Sequence, residues 1–141
     1  MAGVITKPKE SVILKGASDM GRDFTKYNFN GEMYTKSSLV LAVIGKYAEL
    51  HPKTTFENLK MLFPDEIQAE TSIHFSKLQL VFEKADAVEI NEKKRFFMHD
   101  NELINLADST IAIYREWNRE NIRNFISKAM LFGFKIQARP E

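Results

Sequence analysis

A chain of 141 residues, 44% hydrophobic and 11% aromatic, has the size of one domain built around one core. It contains no cysteine, which excludes disulfides and thiolate metal sites, and its three histidines, His51, His74 and His99, lie too far apart in sequence to suggest a structural zinc. A formal net charge of +1 provides no global field for nucleic acid, although a local patch of cations still binds phosphate.

No run of about 18 uninterrupted apolar residues occurs. The first residues also lack the ordered basic, apolar and small-residue regions of a signal peptide, so a cytoplasmic protein without a membrane partner is expected. Charge is unevenly spread. Residues 64–93 hold three lysines against seven acids, and residues 106–141 hold six basic groups against four acids. A surface for polyanions would have to avoid the first of these segments.

Residues 1–25 mix Gly, Pro, Lys and Ser around one apolar run, "SVILK", and are expected to be a flexible N-terminal arm. Residues 26–141 are expected to form a single α+β binding domain. "YNFNGEMY" alternates aromatics about Asn30-Gly31, a pair that supplies the positive φ angles of a tight hairpin. From Lys36 to Leu50, Leu39, Val40, Val43, Ile44, Tyr47 and Leu50 fall on a helical stripe, which His51-Pro52 ends. "KTTFENLKMLFPDEI" predicts a second helix with Thr54 as N-cap, Glu57 completing a capping box and Pro64 as the stop. Phe56, Leu59, Leu62 and Phe63 would pack it on the first. In "IHFSKLQLVFEKA", Ile73, Lys77, Leu80 and Val81 suit a third helix, although "LQLVFE" suits a strand equally well.

"KKRFFMHD" reads as a short strand entering an aspartate turn. Leu103, Ile104 and Leu106, a turn near Asp108, then Ile111, Ile113 and Tyr114 read as a hairpin, to which Phe96 and Phe97 add a third strand. At Trp117 the apolar period changes from two to about 3.6, so a strand gives way to a helix. Asn118 would cap that helix and Glu120 favour its N-terminal dipole. Ile122, Phe125, Ile126, Ala129 and Met130 would form its buried stripe. Gly133 suits a left-handed C-cap and "FKIQ" an edge strand. The predicted architecture is α+β, a small helical bundle with a short antiparallel sheet, in the winged-helix-like order of three helices followed by a hairpin. That analogy is one of fold alone.

"YNFNG", "KSSLVLAVIGKY", "TTFENLKMLFP", "RFFM", "LADSTIAIYREW" and "NIRNFISKAMLFGFKI" together resemble a recurrent bacterial module. That module is often a C-terminal appendage of larger proteins, including restriction and phage-defence proteins. Its biochemical role is uncharacterised, so the resemblance implies a setting near DNA-processing systems and carries over no catalytic residue. Where the pattern has Asp-Gly in the hairpin turn, this chain has Asp108-Ser109, which leaves the turn geometry open.

Three isolated histidines among many serines specify no nucleophilic triad. His99, Asp100 and Glu102 carry metal-compatible groups, but a polar turn capped by Asp100 explains them more simply. Gly16 and Gly21 lack the lysine and strand-helix context of a phosphate loop. The expectation is therefore a protein that is not an enzyme, with no cofactor and no metal.

Two residue sets are candidates for binding. Lys93, Lys94, Arg95, Arg115, Arg119 and Arg123 could contact nucleic acid or an acidic partner. The last three recur every fourth residue, a spacing that aligns planar donors on one helical face. The bland alternative is a solvated face in which Glu116 pairs with Arg119 or Glu120 with Arg123. A predicted third helix with acidic ends argues against major-groove reading by that helix. Tyr27, Phe29, Tyr34 and Trp117 are candidate interface aromatics, whereas Phe96, Phe97, Phe125, Phe132 and Phe134 follow core periodicity. Trp117 is also expected to pack the strand end against the last helix. Together these features suggest a non-enzymatic recognition module of a bacterial or phage system linked to DNA defence. It would act through protein contacts, with a homodimer among the candidate assemblies and DNA as an accessory ligand. The alternative is a winged-helix-like DNA-binding protein.

Overall fold

The computed structural model describes residues 24–69 and 80–139. The expected N-terminal arm up to residue 23, with Gly16 and Gly21, lies outside the described residues, as do His74 and the Ile73–Lys77 part of the third periodic run.

Asn30 and Gly31 take φ values of 54° and 82°, as a two-residue hairpin loop requires. They join β1 (Lys26–Phe29) to β2 (Glu32–Tyr34) with Tyr27 opposite Tyr34. The segment that was expected to be an edge strand pairs on the other side of β1, with Phe29 opposite Ile136, giving a sheet of order β2-β1-β6; β6 itself spans Ile136–Arg139. Gly133, at φ 95°, supplies the left-handed residue that turns the last helix towards it.

Helix α1 (Lys36–Leu50) covers the predicted span. Thr35 and Ser38 form its capping box, and Leu39, Val40, Val43 and Ile44 are fully buried. Helix α2 (Phe56–Leu62) is capped one residue later than expected. Thr55 Oγ1 accepts the Asn58 N–H at 3.1 Å, while Thr54 is buried and its carbonyl accepts from Ala107 N–H at 2.8 Å. The hairpin turn that holds Thr54 also contributes Asp108, whose Oδ1 accepts the Phe56 N–H at 2.9 Å. Two side chains thus satisfy the orphan donors at one helix end. Replacing Asp108 with alanine should lower the unfolding free energy by about 0.5–2 kcal/mol in urea denaturation, and asparagine there should restore most of it.

A short helix, α3 (Glu66–Ala69), follows. Where the third helix was expected to continue, Phe82–Lys84 is instead a strand, β3. Phe82 is fully buried opposite Ile113, so pairing with a buried neighbour overrides the ambiguous local pattern. Strands β4 (Ile104–Asn105) and β5 (Thr110–Ile113) form the predicted hairpin, and the second sheet has the order β3-β5-β4. The fold is therefore α+β with two small antiparallel sheets, not one. The expected strand at "KKRFFM" is also corrected. Ile90–Arg95 is a 3-10 helix, and Phe96 contributes a single bridge to Tyr114, followed by Phe97 N–H to Ile113 O at 2.9 Å. The third strand of the sheet is β3.

Alternation along β5 feeds two cores. Ile111 and Ile113 join the main cluster with α1, α2 and the last helix, while Ala112 and Tyr114 join a smaller one with Val88 and Phe96. Successive side chains of a strand point to opposite faces, so the loop that follows β3 wraps the face of this sheet turned away from the main core.

Helix α4 (Arg119–Leu131) starts as predicted. Asn118 Oδ1 accepts the N–H groups of Glu120 and Asn121 at 2.9 and 2.8 Å. Ile122, Phe125 and Ala129 are fully buried, but Met130 is exposed. At 100° per residue Met130 stands well off the line through Ile122, Phe125 and Ala129.

Candidate interaction surface

The passage from β5 to α4 is built by Tyr114, Glu116, Trp117 and Asn118. Trp117 Nε1 donates to Tyr114 O at 2.8 Å, and its ring meets Phe125 edge-on at 5.6 Å. The indole thus ties the strand end to the helix, and the change of period at Trp117 marks this turn. Trp117 is half-buried and in contact with the main core.

Arg95 is held here rather than free. Its guanidinium lies 3.1 Å from Glu92 and 3.3 Å from Glu116, and Glu116 also accepts from the Tyr114 hydroxyl at 2.9 Å. The Arg115 N–H donates to Arg95 O at 2.9 Å, and the Arg115 guanidinium lies 5.0 Å from the centre of the Phe97 ring. The Phe96–Tyr114 bridge therefore joins Lys93, Lys94, Arg95 and Arg115 at one end of the second sheet, with both lysines exposed. The arginine row is shorter than its spacing predicted. Arg115 and Glu116 precede α4, so only Arg119 and Arg123 stand one turn apart on the helix, both exposed. Glu116 is drawn to Arg95 and Tyr114, not into an acidic row with Glu120.

Burial pushes the Tyr114 phenol above its ordinary value of 10, and the hydrogen bond to Glu116 adds to that, against a smaller opposing effect of Arg95. Burial, with Glu32 second, also raises Tyr34. A phenol whose folded pKa is raised gives stability that is complete below the unfolded value and is lost as pH rises through the folded one. Urea unfolding at stepped alkaline pH should show stability falling above pH 10, and Tyr114→Phe should remove part of that slope.

The interface aromatics divide. Tyr27 and Phe29 are only 4% and 3% exposed, so they are core residues and their assignment to an exposed edge is corrected. β1 is the central strand of its sheet, and its alternate side chains Tyr27 and Phe29 join the core that α1 covers. Tyr34 and Trp117 are half-buried. The exposed apolar surface lies elsewhere. Leu50 ends α1, Met130 and Leu131 lie in the last turn of α4, and Phe132 follows; all four are exposed, Leu131 by 77%. The Phe132 ring lies 6.3 Å from Tyr47, which stacks on His51 at 4.2 Å. Tyr47, Leu50, His51 and Pro52 line a shallow depression of about 490 Å³. The sequence pattern missed this surface because Leu50 continues the stripe of α1 beyond the core, while Met130 was counted in the stripe of α4 although it and Leu131 lie off it.

Glu102 Oε1 accepts the His99 N–H at 3.1 Å, so this carboxylate closes a polar turn. Among the described residues no three His, Asp or Glu side chains are placed to hold a metal ion, and no helix is long and apolar enough to cross a membrane. Comparison of the chain with protein-family models, with characterised proteins and with solved structures finds no match.

Proposed function

We propose that this chain is a non-enzymatic, cytoplasmic protein-recognition module whose contact surface is the apolar end formed by Leu50, Met130, Leu131 and Phe132. The observation that carries this reading is the exposure of these four large apolar side chains at neighbouring helix ends. Exposed apolar side chains grouped in this way mark contact sites. The tie to bacterial or phage DNA defence rests on the motif resemblance. A second copy of the chain is the first partner to test.

DNA binding is the second reading, favoured by the gathering of Lys93, Lys94 and Arg115 at one end of the sheet. The neutralisation of Arg95 by Glu92 and Glu116 weighs against it.

Sedimentation velocity over a range of concentrations, with anisotropy of labelled duplex DNA at two salt concentrations, separates the readings. The expected result is concentration-dependent self-association that Leu50→Glu/Leu131→Glu abolishes. A monomer at all concentrations would overturn the proposal if it also binds DNA in a salt-sensitive way and loses that binding on Lys93→Glu/Lys94→Glu/Arg123→Glu.

A further inference from the structure

The sheet β2-β1-β6 turns one face to the main core and the other away from it. Tyr27, Phe29, Phe134 and Ile136 join the core. The residues that alternate with them therefore point outward: Lys26 and Asn28 on β1, Lys135 just before β6, and Gln137 and Arg139 on it. Met33 of β2 completes this face, opposite Asn28, whose Nδ2 donates to its Sδ at 3.5 Å. Asn28 is half-buried and the other five are exposed.

The charge on this face has one sign. Residues 24–34 and 134–139, which build the sheet, hold three cations and one acid. The acid, Glu32, stands opposite Phe29 on the core side and accepts from the Tyr34 hydroxyl at 3.2 Å. Lys26 lies directly opposite Arg139, and like charges so placed repel. Neither these two nor Lys135 has an ion pair among the described residues. A polyanion laid on the face relieves that repulsion. Next to the cations Asn28 stands opposite Gln137. Such amides match the N6 and N7 edge of adenine, as a guanidinium matches O6 and N7 of guanine.

We infer that this face binds duplex DNA through the major groove, with Arg139, Asn28 and Gln137 at base edges and Lys26 and Lys135 on flanking phosphates. A groove about 12 Å wide admits a two-stranded ribbon, which β1 and β6 provide. The third strand, β2, has only three residues and sets Met33 to the side. From Lys135 to Arg139 the chain advances about 13 Å, close to four base-pair steps. Single strands are held by outward aromatic rings that stack their bases. Here Tyr27, Phe29 and Phe134 belong to the core, and Tyr34 packs against it opposite Tyr27. The face thus suits a duplex. It lies outside the acidic stretch 64–93 and shares no residue with the Lys93–Arg115 end of the other sheet or with the apolar end at Leu131. The inference goes beyond the protein-recognition reading and does not need it.

The test is anisotropy of a labelled duplex about two helical turns long, and of one of its single strands, titrated with the full chain at several salt concentrations. Expected is salt-sensitive binding of the duplex, tighter than that of the single strand. Lys26→Gln/Lys135→Gln should weaken it at least about tenfold and lower the salt slope by about two. Asn28→Ala/Gln137→Ala should leave the slope unchanged but narrow the difference in affinity between A·T-rich and G·C-rich duplexes. Both lysines are exposed, so the amide NMR spectrum of their variant should keep its dispersion. Absence of binding at low salt would overturn the assignment, as would a single strand bound as tightly as the duplex. Binding that survives Lys26→Gln/Lys135→Gln but is lost on Lys93→Glu/Lys94→Glu/Arg123→Glu would overturn it too. The Leu50→Glu/Leu131→Glu variant should bind the duplex unchanged, so failure of the apolar-end reading and failure of this face are read separately.

Discussion

Replacing Phe125 with alanine should lower the unfolding free energy by about 3–5 kcal/mol, a large part of the 5–15 kcal/mol typical of a domain. The Phe125 ring is fully buried, stacks on Phe63 at 5.2 Å and takes the Trp117 edge at 5.6 Å. Three elements meet there: the end of α2, the junction after β5 and the face of α4. Removing the ring forfeits its transfer energy and leaves a cavity walled by rings that cannot all collapse inward. Urea denaturation followed by circular dichroism measures the loss. Phe63→Ala should cost a similar amount, and the two together less than their sum, because each single change already removes the shared stack. Strict additivity would show that the rings act independently.

The second large effect concerns a polar pair inside the fold. Asn121 and Gln68 are each only 3% exposed. Asn121 Nδ2 donates to Gln68 Oε1, and Gln68 Nε2 donates to Glu116 O at 3.2 Å. Close by, Asn124 Nδ2 donates to Ile67 O at 3.3 Å. These amides fasten α3 to α4 and to the junction at Glu116. Asn121→Ala should cost about 1–3 kcal/mol, because it leaves a buried acceptor without its donor. Changing both partners to apolar residues of similar size, Asn121→Leu with Gln68→Met, should recover part of that loss, since the net worth of a satisfied pair is smaller than the cost of breaking it. If the double variant is as unstable as the sum of the single ones, the pair serves a purpose beyond mutual satisfaction, such as positioning Glu116.

Periodicity was legible where one face of an element meets one core. Leu39, Val40, Val43 and Ile44, and then Ile122, Phe125 and Ala129, are buried as their spacing predicts. So was chemistry local to a turn, at Asn30-Gly31, Asn118 and Gly133. What could not be read depends on partners distant in sequence. "LQLVFE" satisfies both periods, and only Ile113, far along the chain, decides that Phe82 lies in a strand. Thr54 and Thr55 are equivalent N-caps until Ala107 takes the carbonyl of the first.

The candidate site was less legible than the fold. Charge spacing grouped Arg115 with Arg119 and Arg123, but the helix begins too late to align all three. Aromatic surplus pointed to Tyr27 and Phe29, which the central position of β1 buries. The apolar end joins Leu50 to Met130, Leu131 and Phe132 from a segment far along the chain, and no local pattern announces such an assembly.

The pairing of β1 with β6 has a consequence for the birth of the molecule. Phe29 meets Ile136 across more than a hundred intervening residues. At about 5–20 residues per second on the ribosome, the hairpin that emerges first waits several seconds or longer for the strand that completes its sheet. Until then Tyr27, Phe29 and the waiting strand edge are open to chaperones or to the edge of another nascent chain. The sheet therefore closes only after the helices between its strands have been synthesised.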